Sequence, residues 1–297
     1  METWTGKILV WLLATAFLTG IAEGQQPAKI PRVGYLSASS ASEALPRAEA
    51  FRQGMRELGY IEGKNVVIEF RYTDGSFDNL PALASELVDL RVDVIVTAGP
   101  SVTRPAKEAT ATIPIVMTND SNPVGRGFVS SLARPAGNIT GLTNLAQELS
   151  GKRLELLKEI FPKLARVAIL GTSNIPGNNE AVKDTELAAS ALAVQTEYLD
   201  IRTATDIQPA FQAARKWRAD AVTVLNGPPH IQRLIPGVAI KSRMPAMYFN
   251  PALIERDAGL IGYGPNLNDL DRRAATYVDR ILKGAKPRSP RRAAEKI

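Results

Sequence analysis

Small polar residues recur at one kind of place along this chain. Ser37 to Ser42 follow the apolar run RVGYL, Gly99-Pro100-Ser101 follow DVIVTA, and Asn119-Asp120-Ser121-Asn122 follow PIVMT. In the second half, Gly171-Thr172-Ser173-Asn174 and Asn226-Gly227-Pro228 take the same station after two further apolar runs. Hydroxyls, amides and free backbone N–H groups can hold a carboxylate or an amino group by hydrogen bonds without reacting with it. Each residue alone also serves as a turn former or helix cap. The binding expectation therefore rests on their recurrence at five loops.

Groups that could carry out a reaction are scarce. The chain has no cysteine, which excludes a disulfide framework, a thiolate nucleophile, a zinc–thiolate or iron–sulfur site and a lipid-modified N-terminal cysteine. Its one histidine, His230, stands in Gly227-Pro228-Pro229-His230, and no G-x-S-x-G elbow accompanies it. Asp and Glu are scattered at helix-surface spacing, without the clusters that metals or glycosidases need. After Gly34-Tyr35-Leu36 the chain reads Ser-Ala-Ser-Ser-Ala-Ser, not a dinucleotide fingerprint, and Gly59 to Asn65 join a helix to a strand as a turn rather than a phosphate loop. No catalytic residue, metal or cofactor is expected, and the chain is read as a non-enzyme. A hydrolase-like enzyme using His230 stands as the third alternative.

The loops must be positioned by regular elements, and the hydrophobic pattern supplies them. Strands are expected at Arg32–Leu36, Asn65–Tyr72, Asp93–Ala98 and Pro114–Thr118, with helices at Ala48–Leu58, Leu80–Leu90 and Val102–Ala111 between them. A Pro/Gly/Asn-rich connection over Asn119–Asn138 follows. The alternation resumes with helices at Glu148–Ile160, Asn179–Leu192, Asp206–Trp217 and Ile231–Lys241, and strands at Arg166–Leu170, Gln195–Ile201, Asp220–Leu225 and Ala246–Phe249. A short strand at Gly259–Tyr263 and an amphipathic helix at Asp269–Leu282 close the pattern. Such alternation implies parallel sheets covered by helices, α/β in class, in two Rossmann-like lobes. In open α/β sheets, ligands bind beyond the carboxyl ends of the strands. Tyr248 and Phe249 are adjacent on a strand, so only one of them can face the cleft.

The charge sits in one place. Of the net +6, the stretch Lys283–Ile297 carries six cations against one acid, leaving +2 on residues 25–282. The folded body therefore offers no basic face of the kind nucleic acid requires. At the other end, Lys7 precedes an eleven-residue apolar run, Ile8 to Leu18, followed by Gly20, Ala22 and Gly24. That run is too short for the roughly 20 residues that span a bilayer and fits a secretory signal cleaved after Ala22 or Gly24. A periplasmic protein with no lipid anchor and no stable membrane insertion after cleavage follows.

Several long blocks resemble a known family. Ile113 to Val124 (IPIVMTNDSNPV), Gly127 to Leu142 (GFVSSLARPAGNITGL), Lys152 to Lys158 (KRLELLK), Gly262 to Asn266 (GYGPN) and Arg272 to Lys286 look like the tryptophan-binding-type substrate-binding proteins of ABC importers, over about residues 30–287. The resemblance implies a type I periplasmic-binding-protein architecture with a cleft between lobes, an aromatic or other amino acid as ligand, and a permease as partner. It implies a monomer whose N-terminal lobe comprises 25–143 plus 264–287 and whose C-terminal lobe comprises 144–263. The expected ligand contacts are Ser37, Ser39, Gly99, Ser101, Val102, Asn119, Asp120, Asn122, Asn144, Ser173, Asn174, Asn226, Phe249 and Tyr263. Two positions depart from the family pattern. Its Asp-Pro-Val appears as Asn122-Pro123-Val124, which replaces a carboxylate by an amide, and its Pro-Gly-Gly-Asn appears as Pro135-Ala136-Gly137-Asn138. The basic tail 288–297 stands where relatives continue with Ala-Leu-Pro-Val-Glu-Gln-Pro, an ending that a frameshift near residue 287 would restore. A ligand-sensing protein docked on a signalling receptor is the alternative reading.

Overall fold

A computed structural model describes residues 29–73, 77–144, 146–175, 177–257 and 259–287. The expected signal segment 1–24 and the basic tail 288–297 lie outside the described residues. Those from Pro31 onward belong to one unit containing two five-stranded parallel sheets.

The first sheet has the order β2-β1-β3-β4-β5, built from β1 (Arg32–Ser37), β2 (Val67–Tyr72), β3 (Val94–Thr97), β4 (Ile115–Met117) and β5 (Ile139–Gly141). The second has the order β10-β9-β8-β6-β7, from β6 (Arg166–Gly171), β7 (Gln195–Asp200), β8 (Ala221–Val224), β9 (Ala246–Tyr248) and β10 (Ile261–Gly262). The central strands VIVT and AVTV are buried at every residue, as a sheet with helices on both faces requires. The edge strands β2 (VIEFRY) and β7 (QTEYLD) are only half-buried and carry charges, which discourages further pairing at those edges.

Helices α1 (Ala41–Glu57), α2 (Leu80–Asp89) and α3 (Pro100–Ala109) link the strands of the first sheet. The chain then enters α4 (Ala146–Ile160), whose Leu154 and Leu157 pack on Val167, Ala221 and Met247 of the second sheet. Helices α5 (Asn178–Ala191), α6 (Ile207–Lys216), α7 (Pro229–Gln232), α8 (Ile235–Lys241) and α9 (Ala252–Asp257) complete that half. The last helix, α10 (Leu267–Leu282), starts under an Asn266 cap that accepts from Asp269 N at 3.1 Å. It then returns to the first sheet. Its Leu270, Ala274, Ala275 and Val278 share a core with Val33, Tyr35, Phe51 and Met55.

The differences from the sequence reading have local causes. Helix α1 begins at Ala41, not Ala48, because Ser40 and Glu43 form a reciprocal capping box and Pro46 is accommodated inside the helix. The Asn119–Asn138 connection is followed by β5, whose three residues are too few to declare a period. The expected helix Ile231–Lys241 is two pieces, α7 and α8, the second opening with a proline in its first turn.

The return of α10 depends on small residues. A Cβ at Gly54 of α1 would lie 2.1 Å from the Arg272 carbonyl oxygen and 2.9 Å from Ala275 Cβ. Only glycine permits that approach. Gly54→Val is expected to lower stability by about 1–3 kcal/mol through overpacking against a backbone atom, measured as a lower urea midpoint. An unchanged midpoint would show that the two helices can separate without cost.

Candidate functional site

The polar loops converge at the carboxyl ends of both sheets. On the first, Ser37 closes β1 and its Oγ accepts from Ser39 N at 3.3 Å. Gly99 caps α3 and places the half-buried Ser101 in the first helical turn. Val102, by contrast, is wholly buried, packed with Leu36 and Ile95 in the core, so its side chain belongs to the packing rather than to the loop surface.

The loop after β4 carries the strongest electrostatics. Asp120 is fully buried. Its Oδ1 accepts from Asn122 N at 2.7 Å and from Arg126 Nη1 at 2.8 Å, whereas its Oδ2 and Arg126 Nη2 have no hydrogen-bond partner among the described residues. Burial pushes the Asp120 carboxyl up, against the opposing pull of the Arg126 guanidinium and the Asn122 N–H. Asn122 turns its side chain inward on the loop, where Oδ1 accepts from Gly125 N at 2.9 Å. The buried Asn144, at the start of the passage to the second sheet, donates its N–H to the Asp120 carbonyl at 3.0 Å.

This loop meets the second half at the start of α5. Gly177 holds a left-handed φ of 95°, and a Cβ there would lie 2.8 Å from Arg126 Nη2 and 3.3 Å from Ser121 Oγ. Asn178, next along, donates from Nδ2 to the Thr172 carbonyl at 2.9 Å and the Asn226 carbonyl at 2.8 Å, knitting two loops of the second sheet. The Asn226 and Asn174 side chains are on exposed residues. Ser173 is engaged with Asp200, donating its N–H and its hydroxyl at 2.8 Å each, and Arg202 donates to the Ser173 Oγ at 3.1 Å. Burial works to raise the Asp200 carboxyl, but the bonds from Ser173, Arg202 and Tyr198 outweigh it and hold the group below the usual carboxylate range.

Three arginines escaped the reading by residue type. Arg47 of α1 donates from Nε to Asp271 Oδ2 at 2.5 Å, and from Nη2 to Thr118 Oγ1 at 3.0 Å and to Asn119 Oδ1 at 3.4 Å. It therefore ties α10 to the loop that carries Asn119 and Asp120. Arg126 is the second. Arg153 of α4 is the third and is only 1% exposed. Its Nη2 donates to Ser150 Oγ at 2.9 Å and its Nη1 to the Tyr263 carbonyl at 3.3 Å, with the guanidinium 5.4 Å from the centre of the Phe249 ring. Tyr248, the neighbour of Phe249, is in the core of the second sheet. Of the expected aromatics, Phe249 and the exposed Tyr263 thus share one arginine. His230 is exposed in α7. Among the described residues no group of three or more His, Asp or Glu is placed to hold a metal ion.

The sequence model of the ABC transporter substrate binding protein family matches residues 41–294. A tyrosine-binding protein of Clostridioides difficile (strain R20291) is 30% identical over 122 residues, which are 41% of this chain and 35% of that protein. The match thus spans about a third of that relative's length. Among solved structures, a conserved domain protein from Vibrio cholerae O1 biovar El Tor str. N16961 superposes with a TM-score of 0.80 at 23% identity over 87% of each chain. An ABC domain from Streptococcus pneumonia in complex with L-Trp superposes with a TM-score of 0.77 at 22% identity over 88% of each chain. At those identities the likeness concerns the fold, which is the same pair of parallel-sheet α/β lobes.

Two outcomes follow from the charges. Arg126→Met strands the buried Asp120 without its counter-charge and is expected to cost about 3–5 kcal/mol of unfolding free energy; a loss under about 1 kcal/mol would mean that the pair does not form in solution. For Asp200, a folded pKa below the unfolded value near 3.9 means stabilisation that is complete above pH ~4 and lost as the pH falls through the folded value. Asp200→Asn should therefore flatten the stability–pH curve below about pH 4, as followed by urea unfolding from pH 5 to 2.

Proposed function

Because the chain belongs to the ABC transporter substrate-binding protein family, we propose that it captures a small amino-acid-like solute between its two lobes and delivers it to the permease of an ABC importer. The observation that carries this reading is the convergence of the Asp120–Arg126 loop of one sheet on the Gly177 end of α5 from the other, with two buried polar atoms left without partners among the described residues. A buried donor or acceptor without a partner costs about 1–3 kcal/mol. A ligand donor that satisfies the Asp120 oxygen recovers its share of that cost only when the lobes enclose it.

The division into lobes is 25–143 plus 264–287 and 144–263, with the binding residues drawn from the strand ends of each. Asp120 and Ser101 act from the first lobe, and the loops carrying Ser173, Asn174 and Asn226 from the second. Asp120 takes over the role of the carboxylate that the family places at the position of Asn122, since the Asn122 side chain is spent on its own turn. The protein works outside the cytoplasmic membrane as a monomer after removal of its signal segment, and it releases its ligand chemically unchanged. No described helix is long and apolar enough to cross a membrane.

Closure is a population shift. The ligand moves the open–closed equilibrium only by its differential affinity for the two forms. A Kd near 1 μM corresponds to about −8 kcal/mol, within reach of a few charge-assisted hydrogen bonds at about 1.5–3 kcal/mol each plus one buried apolar group.

A thermal-shift screen against the twenty amino acids is expected to return at least one stabilising ligand, worth about 2.7 kcal/mol at a concentration 100 times Kd. Asp120→Ala and Ser101→Ala should each weaken that ligand by about tenfold or more in titration calorimetry. If both substitutions leave its affinity unchanged, the cleft does not lie at these loops; if no amino acid stabilises the protein, the ligand class is wrong.

A further inference from the structure

Four charged side chains are buried almost completely among the described residues: Asp120, Arg153, Asp271 and Asp279. Three have a counter-charge. Asp120 pairs with Arg126 at 2.8 Å, Asp271 with Arg47 at 2.5 Å, and Asp279 with Lys283 at 2.7 Å. Arg153 has none among the described residues. Its terminal nitrogens reach a hydroxyl and a backbone carbonyl, both neutral, and burial, with no carboxylate among the described residues to oppose it, drags its pKa down to about 10. Taking a guanidinium out of water without an anion costs several kcal/mol, so such a group calls for a partner.

The surroundings say where that partner would sit. Phe249 follows β9 and Tyr263 follows β10, so both stand at the carboxyl edge of the second sheet, the edge that also carries the loops of Ser173 and Asn226. Arg153 reaches both, its guanidinium over the Phe249 ring and its Nη1 on the Tyr263 carbonyl. Beside it, the backbone passes so close that a Cβ at Gly264 would lie 1.8 Å from the Phe249 carbonyl oxygen. This holds the segment leaving β10 against the end of β9. Of the five N–H donors of a guanidinium, two are committed to protein acceptors, and the fork geometry favours a carboxylate for the rest.

We propose that Arg153 is the receptor for a carboxylate on the ligand, seated beside Phe249 and Tyr263. This rests on the reading of the chain as a binder of amino-acid-like solutes and narrows it. The ligand must carry an acid group, and its acidic end points to α4 and the second sheet, not to the Asp120 loop. The amine, where there is one, is left for Asp120.

A double comparison tests this on the full protein. L-Tyrosine, L-tryptophan and L-phenylalanine are titrated beside their decarboxylated counterparts tyramine, tryptamine and phenethylamine, against the wild type, Arg153→Met and Arg153→Lys. The expected result is that wild type binds the amino acid roughly 10–100-fold more tightly than its amine, that Arg153→Met binds the two alike, and that Arg153→Lys keeps part of the preference. A residue that merely braces the Tyr263 carbonyl would leave the preference for the acid in place even where the affinity drops. Equal binding of acid and amine by the wild type, or full discrimination retained in Arg153→Met, overturns the proposal while the amino-acid reading stands. Should Arg153→Met fail to fold, the wild-type comparison and Arg153→Lys decide alone. If none of the six compounds binds, the aromatic amino-acid class falls, and this assignment with it.

Discussion

Asp271 has no access to water, yet it sits on the helix that must bring the chain back from the second sheet to the first. An ionised carboxylate in that position is tolerable only with a cation and further donors, and Arg47 and Tyr35 supply them. The same Arg47 reaches Thr118, Asn119 and the Ala98 carbonyl, so one guanidinium holds the returning helix, the end of β3 and the loop after β4 in register. The close approach of α10 to Gly54 is possible because this polar contact and the apolar stripe around Ala274 and Ala275 agree on the same seat. The position of Asp120 is inherited from that arrangement. It lies one residue beyond Asn119, on a loop that Arg47 has already fixed.

The loops at the carboxyl ends of the two sheets are therefore held by charge as well as by packing. Asp120 and Arg126 neutralise each other at the junction with α5 but leave one atom each without a partner among the described residues. Ser173, Tyr198 and Arg202 surround Asp200 and draw the loop after β6 toward the end of β7. On the proposed reading, these contacts fix donors and acceptors before a ligand arrives, which reduces the ordering cost of binding. Among the described residues these loops carry hydrogen-bonding groups and fixed charges, and His230 stands exposed on the four-residue α7.

The architecture could be read from the residues because buried parallel strands announce themselves as unbroken β-branched runs, and VIVT and AVTV are of that kind. What stayed hidden was short or local: a three-residue β5 has no period to detect, and the true start of α1 is set by the Ser40–Glu43 capping box rather than by the apolar stripe that begins near Ala48. At the candidate site, the serines, asparagines and Asp120 are legible in the sequence because strand ends place them at one edge. The arginines are not. Arg47 and Asp271 are 224 positions apart and lie on two helices, so nothing in either neighbourhood signals the other. Arg153 looks like one more cation on an amphipathic helix until its side chain is found buried. Val102 differs in the opposite sense: its position beside Ser101 suggests the loop, but the first turn of α3 directs its side chain into the core.

The central claim is that one solute engages both sheets at once. Amide hydrogen exchange of the full protein, with and without a saturating amino acid that stabilises it, addresses that claim directly. The account predicts slowed exchange in the same titration at two places far apart in sequence, the loop 119–126 and the start of α5 around residues 177–181, with the distant edge strands unchanged. Protection confined to one of the two segments would contradict it, because a ligand held by a single lobe cannot drive closure.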